Sequence, residues 1–252
     1  MTPLIVFSDL DGTLLDHDSY DWSPARPMLE HLTQIGVPVI LASSKTAAEM
    51  IPLRAAMGLG PVPMICENGA GLVTGEEIPE ADDYARLRAL LTDLDAPFLG
   101  FGDMGTAGIA QATGLPLAQA VLAGQRGFSE PGLWQGSVPE RDQFIADLAR
   151  HGVAARMGGR FLTLSFGATK ADRMGQILNR YGHPVSIALG DAPNDLEMLA
   201  HADHGIIIAN PHSPPLPPQP GEPTGRIRRS LLPGPDGWAD SLSALLKDLN
   251  HD

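Results

Sequence analysis

One short apolar run that ends on two carboxylates constrains this chain more than any other feature. Leu4-Ile5-Val6-Phe7-Ser8 is followed at once by Asp9-Leu10-Asp11-Gly12-Thr13. An almost unbroken run with β-branched and aromatic residues predicts a strand buried on both faces, as in a parallel sheet. Ligands of open parallel sheets sit beyond the carboxyl ends of the strands. Asp9 is therefore expected to end the strand and Asp11 to lie in the loop after it. Gly12 relaxes the backbone there, and Thr13 adds a hydroxyl. Two carboxylates this close cannot both stay ionised without a compensating cation. A hard, oxygen-preferring ion such as Mg²⁺ would supply it. The plainer reading, an N-capping Asp before a turn glycine, stays open on this segment alone.

The pattern that follows predicts a doubly wound α/β fold. Ser23-Pro24 reads as an N-cap with proline at the first helical position, and Leu29, Leu32 and Ile35 give that helix an apolar side, with Gly36 ending it. Val37 to Ala42 reads as a second strand. Thr46-Ala47-Ala48-Glu49 has capping-box spacing and opens a helix that Pro52 would kink. Pro63 to Cys66 is a third strand. From about Ile78 the texture changes: a helical pattern with Tyr84, Leu87 and Leu91, glycine-rich stretches, and a second helix with Phe144, Ile145 and Leu148. Two short strands follow, around a turn at Gly158-Gly159. Residues 79–167 are accordingly expected to form an inserted α+β cap, with 1–78 and 168–252 as the catalytic core. The wound pattern then returns with a helix from Lys170, a strand over Val185 to Leu189, a helix from Asn194-Asp195 and a strand over Ile206 to Ala209. The proline-dominated stretch 211–223 cannot pair in a sheet and reads as a surface connector.

Composition narrows the partners. The chain has 252 residues and a formal net charge of −13, with the acids dispersed along it. That balance argues against a nucleic-acid partner or an anionic membrane surface. Cys66 is the only cysteine, which predicts a reducing compartment. No stretch is long enough to span a membrane, and the N-terminus has no charged region leading a long apolar segment, so a cytoplasmic protein is expected. Oligomeric state is not legible.

Four features fall where predicted strands end or helices begin: Asp9 with Asp11, Ser43, Lys170, and Asp191 with Asp195. Singly, each has a bland explanation as a cap or a solvated charge. Together they form a toolkit for phosphoryl transfer, which needs positioning and charge neutralisation above all. Asp9 would attack phosphorus and form an aspartyl-phosphate. Asp11 would protonate the leaving oxygen and then activate water. A Mg²⁺ ion would be held by Asp9, Asp191 and the Asp11 carbonyl, with Asp195 beside it. Ser43 would donate to a phosphoryl oxygen, and Lys170 would neutralise the remaining charge. Phosphate monoesters hydrolyse so slowly unaided that such enzymes reach accelerations of about 10²¹-fold.

In these residues the chain resembles the haloacid dehalogenase superfamily of phosphatases, whose four motifs fall here in order. Asp9-Leu10-Asp11-Gly12-Thr13 matches the first, Ser43 the second, Lys170 the third, and Gly190-Asp191-Ala192-Pro193-Asn194-Asp195 the fourth. The large insertion between the second and third motifs is similar to the type IIB caps of many sugar phosphatases. A narrower resemblance, to the mannosyl-3-phosphoglycerate phosphatases, rests on Ser43-Ser44-Lys45-Thr46, Cys66-Glu67-Asn68-Gly69-Ala70, Phe128-Ser129-Glu130-Pro131, Gly158-Gly159-Arg160-Phe161, Asn210-Pro211-His212 and Gly234-Pro235-Asp236-Gly237-Trp238. It implies a small phosphorylated sugar as substrate: mannosyl-3-phosphoglycerate or its glucosyl analogue. It also places Thr13, Ser44, Lys45, Asn68 and Asn194 at that substrate. Two positions depart from the usual motifs: Ala171-Asp172 follows Lys170, and Ala192 stands where glycine is common. In the cap, Arg126 and Arg160 are expected to fork a phosphoglycerate carboxylate. Glu130 is expected to meet sugar hydroxyls; the plainer reading of all three, ion pairs at the rim of a small sheet, stays open. The alternatives are another sugar phosphatase, a phosphomutase on the same machinery, and, from a different class, a phospho-accepting signalling receiver. Receivers are much shorter chains and have no use for a cap.

Overall fold

A computed structural model describes residues 3–75, 82–158 and 160–251. Seven strands form the main sheet: β1 (Leu4–Ser8), β2 (Val39–Ala42), β3 (Met64–Cys66), β4 (Gly71–Val73), β9 (Val185–Gly190), β10 (His204–Ala209) and β11 (Ile227–Pro233). Their order is β11-β10-β9-β1-β2-β3-β4. Every pairing is parallel except β3 with β4. The central strand β1 is buried along its whole length, as its unbroken apolar run demands.

Alternation along β1 divides the core in two. Leu4 and Val6 pack with Leu29 and Leu32 of α1 (Arg26–Gln34), Met50 of α2 (Ala47–Ala56) and Trp238 and Leu242 of α9 (Gly234–Asp248). Ile5 and Phe7 face the other way, onto Met174 and Ile177 of α7 (Lys170–Arg180) and Met198 and Leu199 of α8 (Leu196–His201). Helices on both faces of a parallel sheet define the doubly wound α/β class expected from the pattern. Each fully buried Leu, Ile or Phe contributes roughly 1.5–3 kcal/mol, so this one strand stabilises both layers.

A second, four-stranded antiparallel sheet has the order β5-β6-β8-β7. Its strands are β5 (Phe98–Gly100), β6 (Ser129–Trp134), β7 (Ala154–Gly158) and β8 (Phe161–Ser165). With α3 (Asp82–Leu94), α4 (Phe101–Thr113), α5 (Leu117–Ala123) and α6 (Val138–Arg150) it fills the stretch between β4 and α7. Leu87, Phe144, Leu148, Leu162 and Leu164 form its own core. The boundary expected at 78/79 and Gly159 lie outside the described residues.

Local expectations met different outcomes. Thr46 caps α2 through a capping box with Glu49, and the helix continues through Pro52 as one element. Ser23, in contrast, does not cap α1. It lies in a 3₁₀ turn, Ser23–Ala25, ahead of Arg26, and its hydroxyl donates to Asp21 at 2.6 Å. Leu29 and Leu32 are buried, but Ile35 falls past the last turn and is 38% exposed. The glycine-rich stretch holds two helices; Gly105, at φ 62°, interrupts the first. Residues 211–226 contain neither helix nor strand, yet Leu216 is buried among the α7 and α8 contacts. Among the described residues, no helix is long and apolar enough to cross a membrane.

Candidate active site

The site lies at the carboxyl ends of β1, β2, β3 and β9. The Asp9 amide donates to Leu189 O at 2.9 Å, so β9 fixes the point where β1 ends. The following turn closes through Thr13 N and Leu15 N, which donate to Leu10 O at 3.1 and 2.8 Å. Lys170, the first residue of α7, reaches down from above. Its Nζ lies 2.6 Å from Asp9 Oδ1 and 2.7 Å from Asp195 Oδ1. Gly69 makes this approach possible: at φ +95° a Cβ there would lie 2.1 Å from the Thr169 carbonyl carbon.

The remaining oxygens are oriented one by one. Thr13 Oγ1 donates to Asp191 Oδ1 and Asn210 Nδ2 to Asp191 Oδ2, both at 2.7 Å. Asp195 Oδ2 accepts from the amides of Asp191 and Ala192 at 3.2 and 3.1 Å. Lys45 Nζ pairs with Asp11 Oδ1 at 2.8 Å and lies over the Tyr20 ring at 4.9 Å. Ser43 is fully buried, and its Oγ accepts from the Lys45 amide at 3.2 Å. Asn68 donates its amide to Ser43 O at 2.9 Å, and its side chain accepts from Asn194 at 3.0 Å. Ser44 and Asn194 are exposed at the rim. Asp9 Oδ2 is left without a hydrogen bond among the described residues.

Electrostatics follow from this packing. Burial pushes the Asp9 carboxyl well above the carboxylate range; the Asp195, Asp191 and Asp11 charges add to the rise and Lys170 opposes it. Burial also raises Asp191, against the hydrogen bonds from Thr13 and Asn210. For Lys170, burial alone would lower the ammonium, but Asp195 and Asp9 overcome it and hold the group above its ordinary value. Lys45 is likewise raised, Asp11 outweighing burial. Burial and the Glu67 charge push the Cys66 thiol up to about 12, so it is not a thiolate nucleophile. Asp9, Asp191 and Asp195 offer oxygens within 4.8 Å of one another. Three carboxylates against one ammonium leave negative charge uncompensated, and all donors are hard oxygens, so these residues fit a Mg²⁺-type ion.

One prediction follows directly. A carboxyl with a raised folded pKa contributes stability below its unfolded value, and that contribution is lost as pH rises through the folded one. Chelated protein should therefore lose melting temperature as pH climbs from the ordinary carboxylate range through the raised values of Asp9 and Asp191. Added Mg²⁺ should restore more of it the higher the pH. Melting curves in chelator and in Mg²⁺ across pH test this; parallel pH profiles would contradict it.

The three cap candidates all have partners within the protein. Glu130 is 0% exposed and accepts from Arg88 Nη1 and the Gly102 amide, both at 2.9 Å, and from the Tyr84 hydroxyl at 3.0 Å. A carboxylate inside a small antiparallel sheet demands such partners, and these three bonds tie β6 to α3 and the start of α4. Arg160 donates to Ala112 O at 2.8 Å, closing the carboxyl end of α4. Arg126 lies at the cap–core junction, paired with Glu67 at 3.3 Å and bonded to Ser129 Oγ at 2.7 Å and Ser44 O at 3.4 Å. Arg126 is thus held by its neighbours at the junction, while Arg160 is exposed and hydrogen-bonded through Nη1 alone among the described residues.

Sequence reasoning missed two supports. Asn210, which orients Asp191, directly follows β10, and that position at a strand's carboxyl end was the available signal. Glu67, at φ 52°, accepts from the amides of Gly127, Phe128 and Ser129 and from the Ser129 hydroxyl at 2.7–3.1 Å. That single buried carboxylate fastens the start of β6 to the end of β3.

Solved structures with this fold include the sucrose-phosphatase from Synechocystis sp. PCC6803 in complex with sucrose and phosphate, at 16% identity over 97% of this chain and 98% of that one, TM-score 0.64. BT1666 from Bacteroides thetaiotaomicron, a phosphatase of the haloalkanoate enzyme superfamily, matches at 18% identity over 100% and 96%, TM-score 0.67. The subclass IIB sugar phosphatase BT4131 matches at 16% identity over 98% and 99%, TM-score 0.64. At these identities the likeness establishes the fold. The sequence profile of the haloacid dehalogenase-like hydrolases matches residues 6–86 and 142–214, well over half of the chain. By that match, the chain belongs to the haloacid dehalogenase-like hydrolases.

Proposed function

We propose that the protein is a Mg²⁺-dependent phosphomonoester hydrolase acting on a phosphorylated sugar, with mannosyl-3-phosphoglycerate or glucosyl-3-phosphoglycerate as substrate. The observation that carries the reading is Lys170 Nζ, held 2.6 and 2.7 Å from Asp9 and Asp195 beside the third carboxylate, Asp191. Such a cluster can accept a phosphate dianion only with its charges managed in this way.

Lys170 holds Asp9 Oδ1, which leaves Oδ2 as the attacking oxygen. It forms the bond to phosphorus as the bond to the leaving oxygen breaks, and Asp11 delivers its proton to that oxygen. A water molecule then attacks phosphorus, Asp11 takes its proton, and the Asp9–phosphorus bond breaks to regenerate the carboxylate. Ser43 donates to a phosphoryl oxygen. Lys45, paired with Asp11 at 2.8 Å, must turn towards the arriving phosphate for Asp11 to carry its proton. When bound by Asp9, Asp191 and the Asp11 carbonyl, with Asp195 beside them, Mg²⁺ would supply charge neutralisation between the phosphate and the nucleophile.

The sugar leaving group is supported by the sucrose-phosphatase and the subclass IIB sugar phosphatase that share the fold. The two glycosyl phosphoglycerates are favoured by the segments Ser43–Thr46 and Cys66–Ala70, which supply Ser44, Lys45 and Asn68 at the rim. A turnover screen over glycosyl phosphoglycerates, hexose phosphates and sucrose phosphate is the test. Phosphate release should be strongest for a glycosyl phosphoglycerate, need no bisphosphate activator, and vanish on chelation until Mg²⁺ is returned. A different sugar phosphate in first place would overturn the substrate; turnover that survives chelation would overturn the metal.

A further inference from the structure

A second group of metal-ligating side chains lies outside the catalytic cluster and shares no residue with it. His17 and Asp18 belong to the loop after β1, and His212 to the loop after β10. The two imidazoles stack with centroids 4.2 Å apart and planes 16° apart. His212 Nε2 lies 3.7 Å from Asp18 Oδ2. One ligand atom from each of the three residues lies within 4.8 Å of the other two.

We propose that His17, Asp18 and His212 form a binding site for a divalent transition cation of the zinc type, which ties the loop after β1 to the loop after β10. Two imidazole nitrogens and one carboxylate suit zinc, nickel or copper, and a hard ion that demands oxygen ligands does not compete for them. Three protein ligands with a water in the fourth position is a standard zinc arrangement. Tetrahedral ligands about 2.0–2.1 Å from zinc stand roughly 3.4 Å apart, so the group has to contract by about an ångström. The side chains are free to do so, since those of His212 and Asp18 are 41% and 77% exposed.

The backbone beneath the group is built rather than loose. Asp16 Oδ1 accepts from the Asp18 and Ser19 amides and the Ser19 hydroxyl at 3.2, 2.9 and 2.7 Å, folding the first loop into a fixed turn. The His212 amide donates to Asn210 Oδ1 at 2.8 Å, and the same Asn210 donates to Asp191 at 2.7 Å. Each loop therefore leads back to the catalytic centre: one carries Asp11, and the other orients Asp191 through Asn210. An ion at the rim would hold both loops in the arrangement seen here.

The test is a calorimetric titration of the full chain with zinc chloride in saturating Mg²⁺, repeated with cobalt(II) to read its visible absorption. The wild type should take up one equivalent of zinc, with a tetrahedral cobalt spectrum. His17→Ala and His212→Ala should each weaken zinc binding by more than about tenfold, while Asp9→Asn leaves it unchanged. Melting temperatures without zinc check that the surface variants fold. Zinc binding that persists in both histidine variants and disappears in Asp9→Asn would place the ion in the catalytic cluster and overturn the proposal. Wild-type protein that takes up no zinc beyond its Mg²⁺-protected site would overturn it equally. Neither readout depends on phosphatase turnover.

Discussion

Asp9→Asn abolishes turnover of every phosphomonoester, with a loss on the order of 10⁵-fold in kcat, or about 7 kcal/mol of barrier. An amide oxygen is too poor a nucleophile to form the acyl phosphate, and the other groups of the site cannot substitute for it. The fold should survive. Burial and three neighbouring carboxylates already push Asp9 towards its neutral form in metal-free protein, so a neutral amide there carries no new desolvation cost. Lys170 keeps Asp195 as its ionic partner at 2.7 Å. The check is phosphate release together with the melting temperature in chelator. Near wild-type activity in a folded variant would remove Asp9 from the chemistry; collapse of the fold would show that its charge is structural.

Lys170→Ala should damage stability and activity together, for a different reason. Lys170 is 2% exposed and is the ammonium set between Asp9 and Asp195. Removing one partner of a buried ion pair typically costs about 3–5 kcal/mol, here because two carboxylates are left facing each other. For a chain of this size that corresponds to a fall of roughly 6–20 °C in melting temperature. The deficit has a sign with pH. Lys170 is the charge that opposes the rise at Asp9, so without it Asp9 favours the proton further, and its contribution to stability is held at low pH and lost as pH rises. The gap to wild type should therefore widen from pH 5 to pH 8, and added Mg²⁺ should narrow it. Turnover should fall for large and small phosphate esters alike, since the lost charge acts on the phosphate itself. A pH-independent deficit of under 1 kcal/mol would mean that Lys170 is not the compensating charge.

What could be read from the chain follows from how local each signal is. The unbroken apolar run of β1, the turn at Gly12 and the capping box at Thr46 are each written within a few residues, so their pattern is visible in the sequence. The position of Lys170 at the start of α7 is equally local, although its two partners are not. The glycine-rich stretch over 101–123 shows no element in the sequence, because Gly102, Gly105 and Gly108 weaken a helical pattern, yet Phe101, Ile109, Ala120 and Ala123 form a buried cluster that joins α4 and α5. The motif ending in Trp238 signalled a resemblance but not its cause. The Trp238 indole donates to Ser8 Oγ at 2.9 Å, joining α9 to the strand that carries Asp9.

Partner choice was the least legible layer. Glu130, Arg126 and Arg160 are charged and close to the expected cleft in sequence terms, and charge alone suggests a polar ligand. Apart from Ser129, three residues from Arg126, their partners Arg88, Tyr84, Ala112 and Glu67 lie 42, 46, 48 and 59 residues away. No spacing rule reaches that far. Asn210 stands in a segment that carries the resemblance and at a strand's end, but its partner Asp191 is set only once β10 lies beside β9.

The central claim is that Asp9 carries the phosphoryl group. Acid quenching during turnover of a phosphorus-labelled sugar phosphate or aryl phosphate in Mg²⁺, followed by peptide mapping, tests it most directly. The expected result is a transient, hydroxylamine-labile label on the peptide containing Asp9, absent from Asp9→Asn and lost at the rate of phosphate release. Phosphate production without any protein-bound label on that timescale, or a label mapped to another residue, would contradict the account.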